Sequence, residues 1–308
     1  MKAIMYHYVR EYQSSHPNFR FLDFKNFKKQ LDLFESNFGF VRYDEWKNFI
    51  NNGEMPLQKG KVLLTFDDAM HCHYEYVYPE LLKRGLWGMF FVPTQPYVQG
   101  KLLDVHKIHL LCGAFNGQDL LNSISEFISE DMIQDQKVKE FRQNTYVYQD
   151  NYSGVVEFKR LLNYFIDYSY RESLIDMIAK KFNYEFSHSN FYIHEDDLME
   201  MSANQMIIGS HTVTHPVMSK ISEKEQSIQI IDSFKCLSEL GVLKTKVYCH
   251  PFGGFHSFNK ATLNILKQQN VEFAFNVESR EISPDDISSS RYHLPRFDCN
   301  EFEFGEAS

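Results

Sequence analysis

An apolar run, Val62-Leu63-Leu64-Thr65-Phe66, ends in two adjacent carboxylates, Asp67 and Asp68. Far downstream a second apolar run ends in Ser210-His211-Thr212-Val213-Thr214-His215-Pro216. Two imidazoles and one carboxylate make an open-faced metal site with positions left for water and substrate, and the second carboxylate is then free to move a proton. Each segment also has a plainer reading. Asp favours strand-ending turns, and two loop histidines need not share a ligand. Pro216 disfavours helical geometry at His215 and no glutamate follows His211, which argues against the two-histidine helix of zinc proteases. A tight loop leaving a strand turns both imidazoles to one point instead.

Neighbouring side chains within a strand face opposite ways, so Asp67 and Asp68 serve one centre only where the strand ends. In parallel α/β architectures that place is the carboxyl end of the strands. The flanking pattern fits: strands are expected at 2–6, 62–66 and 89–92, with a helix at 75–84 stopped by Gly85. Phe24, Phe27, Leu31, Phe34 and Phe38 recur at helical spacing, and Asp44 is an expected N-cap for a short helix closed by Gly53. From about 100 to 195 the periodicity is helical, without a buried strand. This stretch is expected to be an insertion within a single catalytic domain spanning 1–308 and to overhang the barrel mouth. Alternation resumes at 206–209, Ser222 and Glu225 form a capping box, and further strands are expected at 246–249, 272–277 and 292–297.

The 308 residues carry a formal charge of −9, which argues against a nucleic-acid binder. Aromatics reach 16%, and most are expected in a Phe-rich core. The opening Met1-Lys2-Ala3-Ile4-Met5-Tyr6-His7 has no apolar stretch of signal-peptide or membrane-spanning length. Five cysteines, odd in number and without close-spaced pairs, suit a reducing cytoplasm. The expected localisation is therefore cytoplasmic.

Thr65-Phe66-Asp67-Asp68 and Ser210-His211-Thr212-Val213-Thr214-His215, in this order and each after a strand, resemble the first two motifs of the polysaccharide deacetylases, the carbohydrate esterases of NodB homology. The resemblance implies an α/β fold, a distorted (β/α)7 barrel, here with a helical insertion. It implies a metal-dependent hydrolase that removes N-acetyl groups from an amino-sugar glycan or glycan precursor. Asp68, His211 and His215 would hold a divalent cation, usually Zn2+, and Asp67 would be the general base toward water at the metal. The third motif of the family resembles Cys249-His250-Pro251-Phe252-Gly253, which makes the Phe252 backbone N–H the oxyanion donor. Pro251 and His250 would line the substrate cleft.

Cys249 stands where the family usually has the arginine that orients the base. Arg296, in Leu294-Pro295-Arg296-Phe297, resembles a late Pro-Arg motif of part of the family and supplies that charge, unless it is an ordinary ion-paired arginine. Ile4-Met5-Tyr6-His7-Tyr8-Val9 resembles the opening of the permuted poly-N-acetylglucosamine deacetylase branch, which makes His7 the candidate general acid and Tyr6 a substrate contact. The implied partner is an N-acetylated amino sugar, as an oligosaccharide, a sugar nucleotide or a lipid-linked glycan; no nucleic acid or membrane span is expected. Two alternatives stay open: a catalytically weak glycan-binding pseudoenzyme of the same fold, favoured by the missing arginine, and a hydrolase of another acyl group or a cyclic amide.

Overall fold

Short runs of apolar residues form parallel strands in this chain because both their faces are buried. The computed structural model describes residues 1–129, 132, 133 and 153–307. Its strands are β1 (Lys2–Tyr6), β2 (Val9–Arg10), β3 (Leu22–Asp23), β4 (Val62–Asp67), β5 (Met89–Val92), β6 (Ile207–Ser210), β7 (Val247–Cys249), β8 (Phe273–Phe275) and β9 (Phe297–Asp298). Seven of them make one sheet in the order β8-β7-β6-β5-β4-β1-β9, with every neighbour parallel. A bridge between Phe275 and Leu294 links the β8 edge to the segment that enters β9. The result is the expected distorted (β/α)7 barrel. β2 and β3 form a separate parallel pair.

The chain divides into two compact units. The first comprises Met1–Glu11, Phe21–Lys101 and His188–Ser308, and contains the barrel. Strand parity sorts its side chains into two layers. Ala3, Leu63, Met89, Phe91, Val247, Cys249, Phe273 and Phe275 fill the interior together with Trp46, Phe49 and Ile50 of the helix Tyr43–Asn52. Ile4, Tyr6, Leu64, Phe66 and Phe90 face outward, where Phe27, Leu31 and Phe34 of the helix Phe24–Asn37 cover them. The second unit comprises Tyr12–Arg20 and Leu102–Ser187. Its helices Asp104–Ala114, Gly117–Ile124, Ser153–Arg160 and Tyr168–Lys181 enclose their own core of Ile108, Leu111, Leu120, Phe158, Leu162 and Ile175. Residues 130, 131 and 134–152 of the expected insertion lie outside the described residues. Among the described residues, no helix is long and apolar enough to cross a membrane.

Three local expectations are corrected. Arg42, not Asp44, is the N-cap of Tyr43–Asn52: the Glu45 side chain accepts from the Arg42 N–H, while Asp44 pairs with the Arg42 guanidinium. The helix at 75–84 begins as a π turn, His73–Val77, before the α-helix Tyr78–Lys83. Pro79 has no N–H to offer the Glu75 carbonyl, and the Tyr78 N–H reaches His73 O instead. Residues 292–297 are not one strand. Leu294 bridges to Phe275 and Phe297 pairs with Ile4, so the chain crosses a gap between two neighbours, and Pro295 in between cannot donate to either.

Gly209 sits on β6 two residues before His211. A Cβ there would lie 2.6 Å from Val247 Cγ2 and 2.8 Å from Phe91 Cδ1 inside the barrel. Gly209→Ala therefore overpacks the floor beneath the histidines and should destabilise the fold by roughly 1–3 kcal/mol. Urea unfolding checks this, and an unchanged midpoint would show that the barrel interior can yield there.

Candidate active site

The carboxyl end of β4 delivers Asp67 and Asp68, and that of β6 delivers His211 and His215. Asp68 escapes strand geometry with φ 77°, and Ala69 follows at 50°. Thr212, His215 and Phe252 are also left-handed, at φ 69°, 54° and 64°. Such residues cost about 1–3 kcal/mol each and persist where surrounding contacts enforce them. In the histidine loop the enforcing group is Gln229 of the helix Glu223–Glu239. Its Oε1 accepts from the N–H groups of Val213 (3.0 Å) and Thr214 (2.8 Å), and its Nε2 donates to Thr214 Oγ1. Thr212 Oγ1 accepts from the His215 N–H, while Thr212 O and Val213 O accept from Thr94 and Gln95 N–H.

This loop brings three donors together. His211 Nε2 lies 3.6 Å and His215 Nε2 3.5 Å from Asp68 Oδ1, and all three residues are buried. Ligands about 2.0–2.1 Å from a tetrahedral cation stand roughly 3.3 Å apart, so the spacing suits a shared ion better than direct hydrogen bonds. The tautomer is suitable as well. His211 Nδ1 lies 2.9 Å from Cys249 O, a carbonyl that only accepts, so Nδ1 carries the proton and Nε2 presents its lone pair. Burial lowers the His211 pKa despite the carboxylates beside it, which keeps the ring neutral, as a ligand must be. The residues present therefore fit a divalent cation.

Asp67 is held apart from that triad. Its Oδ1 and Oδ2 accept from Arg296 Nη1 (2.9 Å) and Nη2 (2.8 Å), a two-point fork with both side chains buried. The guanidinium lies beside the packed pair of rings Phe91 and Phe275, 5.8 and 5.7 Å from their centroids. Asp67, His211 and Cys249 form a second donor group, but Arg296 already places a cation 2.9 Å from Cys249 Sγ. Coulomb repulsion makes this group a poor place for a metal.

Burial pushes Asp67 upward, but the charge and hydrogen bonds of Arg296 outweigh it and hold the pKa down to about 2. The linked stability is full above the unfolded carboxylate value and is lost as pH falls through about 2; it amounts to about 2 kcal/mol. The stability difference between wild type and Asp67→Asn should accordingly shrink between pH 5 and pH 2 in urea unfolding. A constant difference would deny the pair this role.

His7 follows β1 half-buried, near enough to Asp67 to help hold its pKa down, and its carbonyl accepts from buried His73 Nε2. Phe252 packs its ring 4.8 Å from that of His215, and Pro251 before it is buried. Two expected substrate contacts are corrected. Tyr6 shares the outward parity of Ile4, lies fully buried, stacks on Phe66 and donates its hydroxyl to Gln30. His250 is 1% exposed, stacks on Phe258 and is tied through Nε2 to Tyr292 O; burial lowers its pKa to about 3. Tyr8 and Gln229 are not legible as site residues in the sequence. Half-buried Tyr8 stands close enough to Asp68 for that charge, after burial, to raise its phenol pKa.

Residues 176–274 match the family model for polysaccharide deacetylase. A sequence search of curated proteins finds no match. Among solved structures the chain is similar to the Streptococcus pyogenes deacetylase PplD in complex with acetate, at 17% identity over 97% of this chain and 91% of that one, with a TM-score of 0.57. It is similar to IcaB from Ammonifex degensii at 18% identity, over 96% and 91% of the two chains, with a TM-score of 0.55. It is also similar to BC0361, a polysaccharide deacetylase from Bacillus cereus, at 12% identity over 96% and 64%, with a TM-score of 0.53. At such identities the structural likeness is one of fold. In a stretch of its sequence and in its fold, the chain resembles the polysaccharide deacetylases.

Proposed function

We propose that this chain is a metal-dependent deacetylase that removes N-acetyl groups from an amino-sugar glycan or glycan precursor in the cytoplasm. One observation carries the reading: two adjacent carboxylates have separate partners, Asp68 facing two imidazoles at 3.5–3.6 Å and Asp67 gripped by Arg296 at 2.8–2.9 Å. Asp68, His211 and His215 would hold the cation, with Zn2+ the first choice for two nitrogens and one oxygen. When bound, the cation acidifies water and polarises the acyl carbonyl.

The chain's own residues do the rest. Asp67 stays ionised at neutral pH and accepts the proton of the attacking water, while Arg296 fixes both of its oxygens. The water oxygen bonds to the acyl carbon, and the backbone N–H of Phe252 donates to the oxygen that gains charge. The C–N bond then breaks, His7 hands a proton to the departing amine, and acetate is left. Arg296 also weakens the ground for a pseudoenzyme, because the charge missing at position 249 reaches Asp67 from the segment that enters β9.

The test is a product screen by mass spectrometry. Zn2+-loaded protein would be given a panel of N-acylated oligosaccharides, sugar nucleotides and lipid-linked glycans, with Asp67→Asn as the blank. Loss of acyl groups only with wild type supports the reading. Protein that binds Zn2+ by calorimetry yet releases no acyl group from any member would overturn it. Acyl loss confined to groups other than acetyl would move the assignment to the broader amidase alternative.

A further inference from the structure

A guanidinium has five N–H groups, and in Arg296 each has an acceptor. Nε donates to Asn276 O at 3.1 Å. Nη1 donates to Asp67 Oδ1 at 2.9 Å and Thr65 Oγ1 at 3.1 Å, and Nη2 to Asp67 Oδ2 at 2.8 Å and Cys249 Sγ at 2.9 Å. Arg296 is 0% exposed, so water cannot replace any acceptor that is removed. Thr65 is able to accept because its own hydroxyl proton goes to Ile4 O at 2.8 Å. The Cys249 sulfur is in the same position, since its S–H is directed at Asp67 Oδ2 (3.5 Å) or His250 O (3.7 Å). The neighbouring rings of Phe91 and Phe275 have no lone pair to substitute.

The main chain of the same residue does a second thing. Cys249 O accepts from His211 Nδ1 at 2.9 Å, which sets the plane of that imidazole. One residue thus touches the group that grips Asp67 and the histidine that faces Asp68.

We propose that Cys249 is a positioning residue for deacetylation: its sulfur completes the donor set of Arg296, so that the guanidinium and Asp67 are locked in register with the His211 imidazole held by its carbonyl. The proposal rests on the reading of Asp67 as the base. It goes beyond that reading by assigning the thiol a role in fixing the base, where a sequence comparison records only a missing arginine.

Cys249→Ala and Cys249→Ser would be compared with wild type. Alanine leaves one guanidinium N–H without an acceptor, and kcat should fall about ten- to a hundredfold. KM and Zn2+ affinity by calorimetry should stay within about threefold, because the His211 contact is made by the backbone. Serine both accepts and donates, and should recover most of the loss. In protein labelled with 15N-arginine, the Nη–H exchange of Arg296 should quicken in the alanine variant and not in the serine variant. If Cys249→Ala does not fold, Cys249→Val fills the volume without an acceptor and takes its place. Unchanged kcat and exchange in the apolar variant would overturn the proposal, as would equal losses for alanine and serine. A wild type that releases no acyl group would sink the deacetylase reading alone, and the exchange comparison would then still decide whether sulfur completes the donor set.

Discussion

Asp67→Asn should lower acyl release by about two to four orders of magnitude while the protein continues to bind Zn2+. The asparagine amide has the shape of the carboxylate but cannot take a proton from water. Its Oδ1 can keep one bond to Arg296, so the group stays in place. The Asp68–His211–His215 spacing does not depend on Asp67 contacts, since the histidine loop is set by Gln229 and the His211 ring by Cys249 O. Zn2+ affinity by calorimetry should therefore remain within a few-fold of wild type. Asp68→Asn is the contrast. It removes the anionic donor and should lose metal affinity and activity together. Single-turnover mass spectrometry on the substrate found in the screen measures the first effect. Residual Asp67→Asn activity above about a tenth of wild type would mean that another group accepts the proton.

The parts of this site that are legible in the sequence are those fixed by strands. Apolar runs at 62–66 and 89–92 read as buried strands because both their faces are covered, and their carboxyl ends locate Asp67 and the chain that follows. The Ser222–Glu225 box announces its helix because capping is a local matter between residues three apart. Long-range reach is not legible. Arg296 stands 229 positions from Asp67 and meets it only because the chain crosses from β8 to β9 at Leu294–Pro295. Gln229 clamps the histidine loop from a helix whose apolar spacing says nothing of its polar face. Motif neighbourhood points Tyr6 and His250 toward a substrate, but side-chain parity decides where they go. Tyr6 pairs in register with Phe66, an outward residue, and His250 follows outward-facing Tyr248 and interior Cys249. The alternation that turns Asp67 inward turns Phe66 outward, and Tyr6 beside it goes the same way.

Arg296→Met should destabilise the fold by about 3–5 kcal/mol and remove nearly all activity. The methionine fills much of the space beside Phe91 and Phe275 but leaves Asp67, 2% exposed, as a buried carboxylate without its guanidinium partner. Burial would then be opposed only by the weaker influence of His211 and His7, and would raise the Asp67 pKa from about 2. Arg296→Lys separates charge from geometry. A single ammonium restores the charge, but its three donors cannot reach Asn276 O, Thr65 Oγ1, Cys249 Sγ and both carboxylate oxygens together. Stability should recover in part while kcat stays close to that of the methionine variant. The decisive measurement is the cycle with Asp67→Asn. Neutralising both members removes the lone buried charge, so Arg296→Met/Asp67→Asn should be less destabilised than Arg296→Met alone, with a coupling of roughly 2–3 kcal/mol. Strictly additive losses in urea unfolding would show that the two side chains are neighbours without being a pair, and the base would then need another partner to orient it.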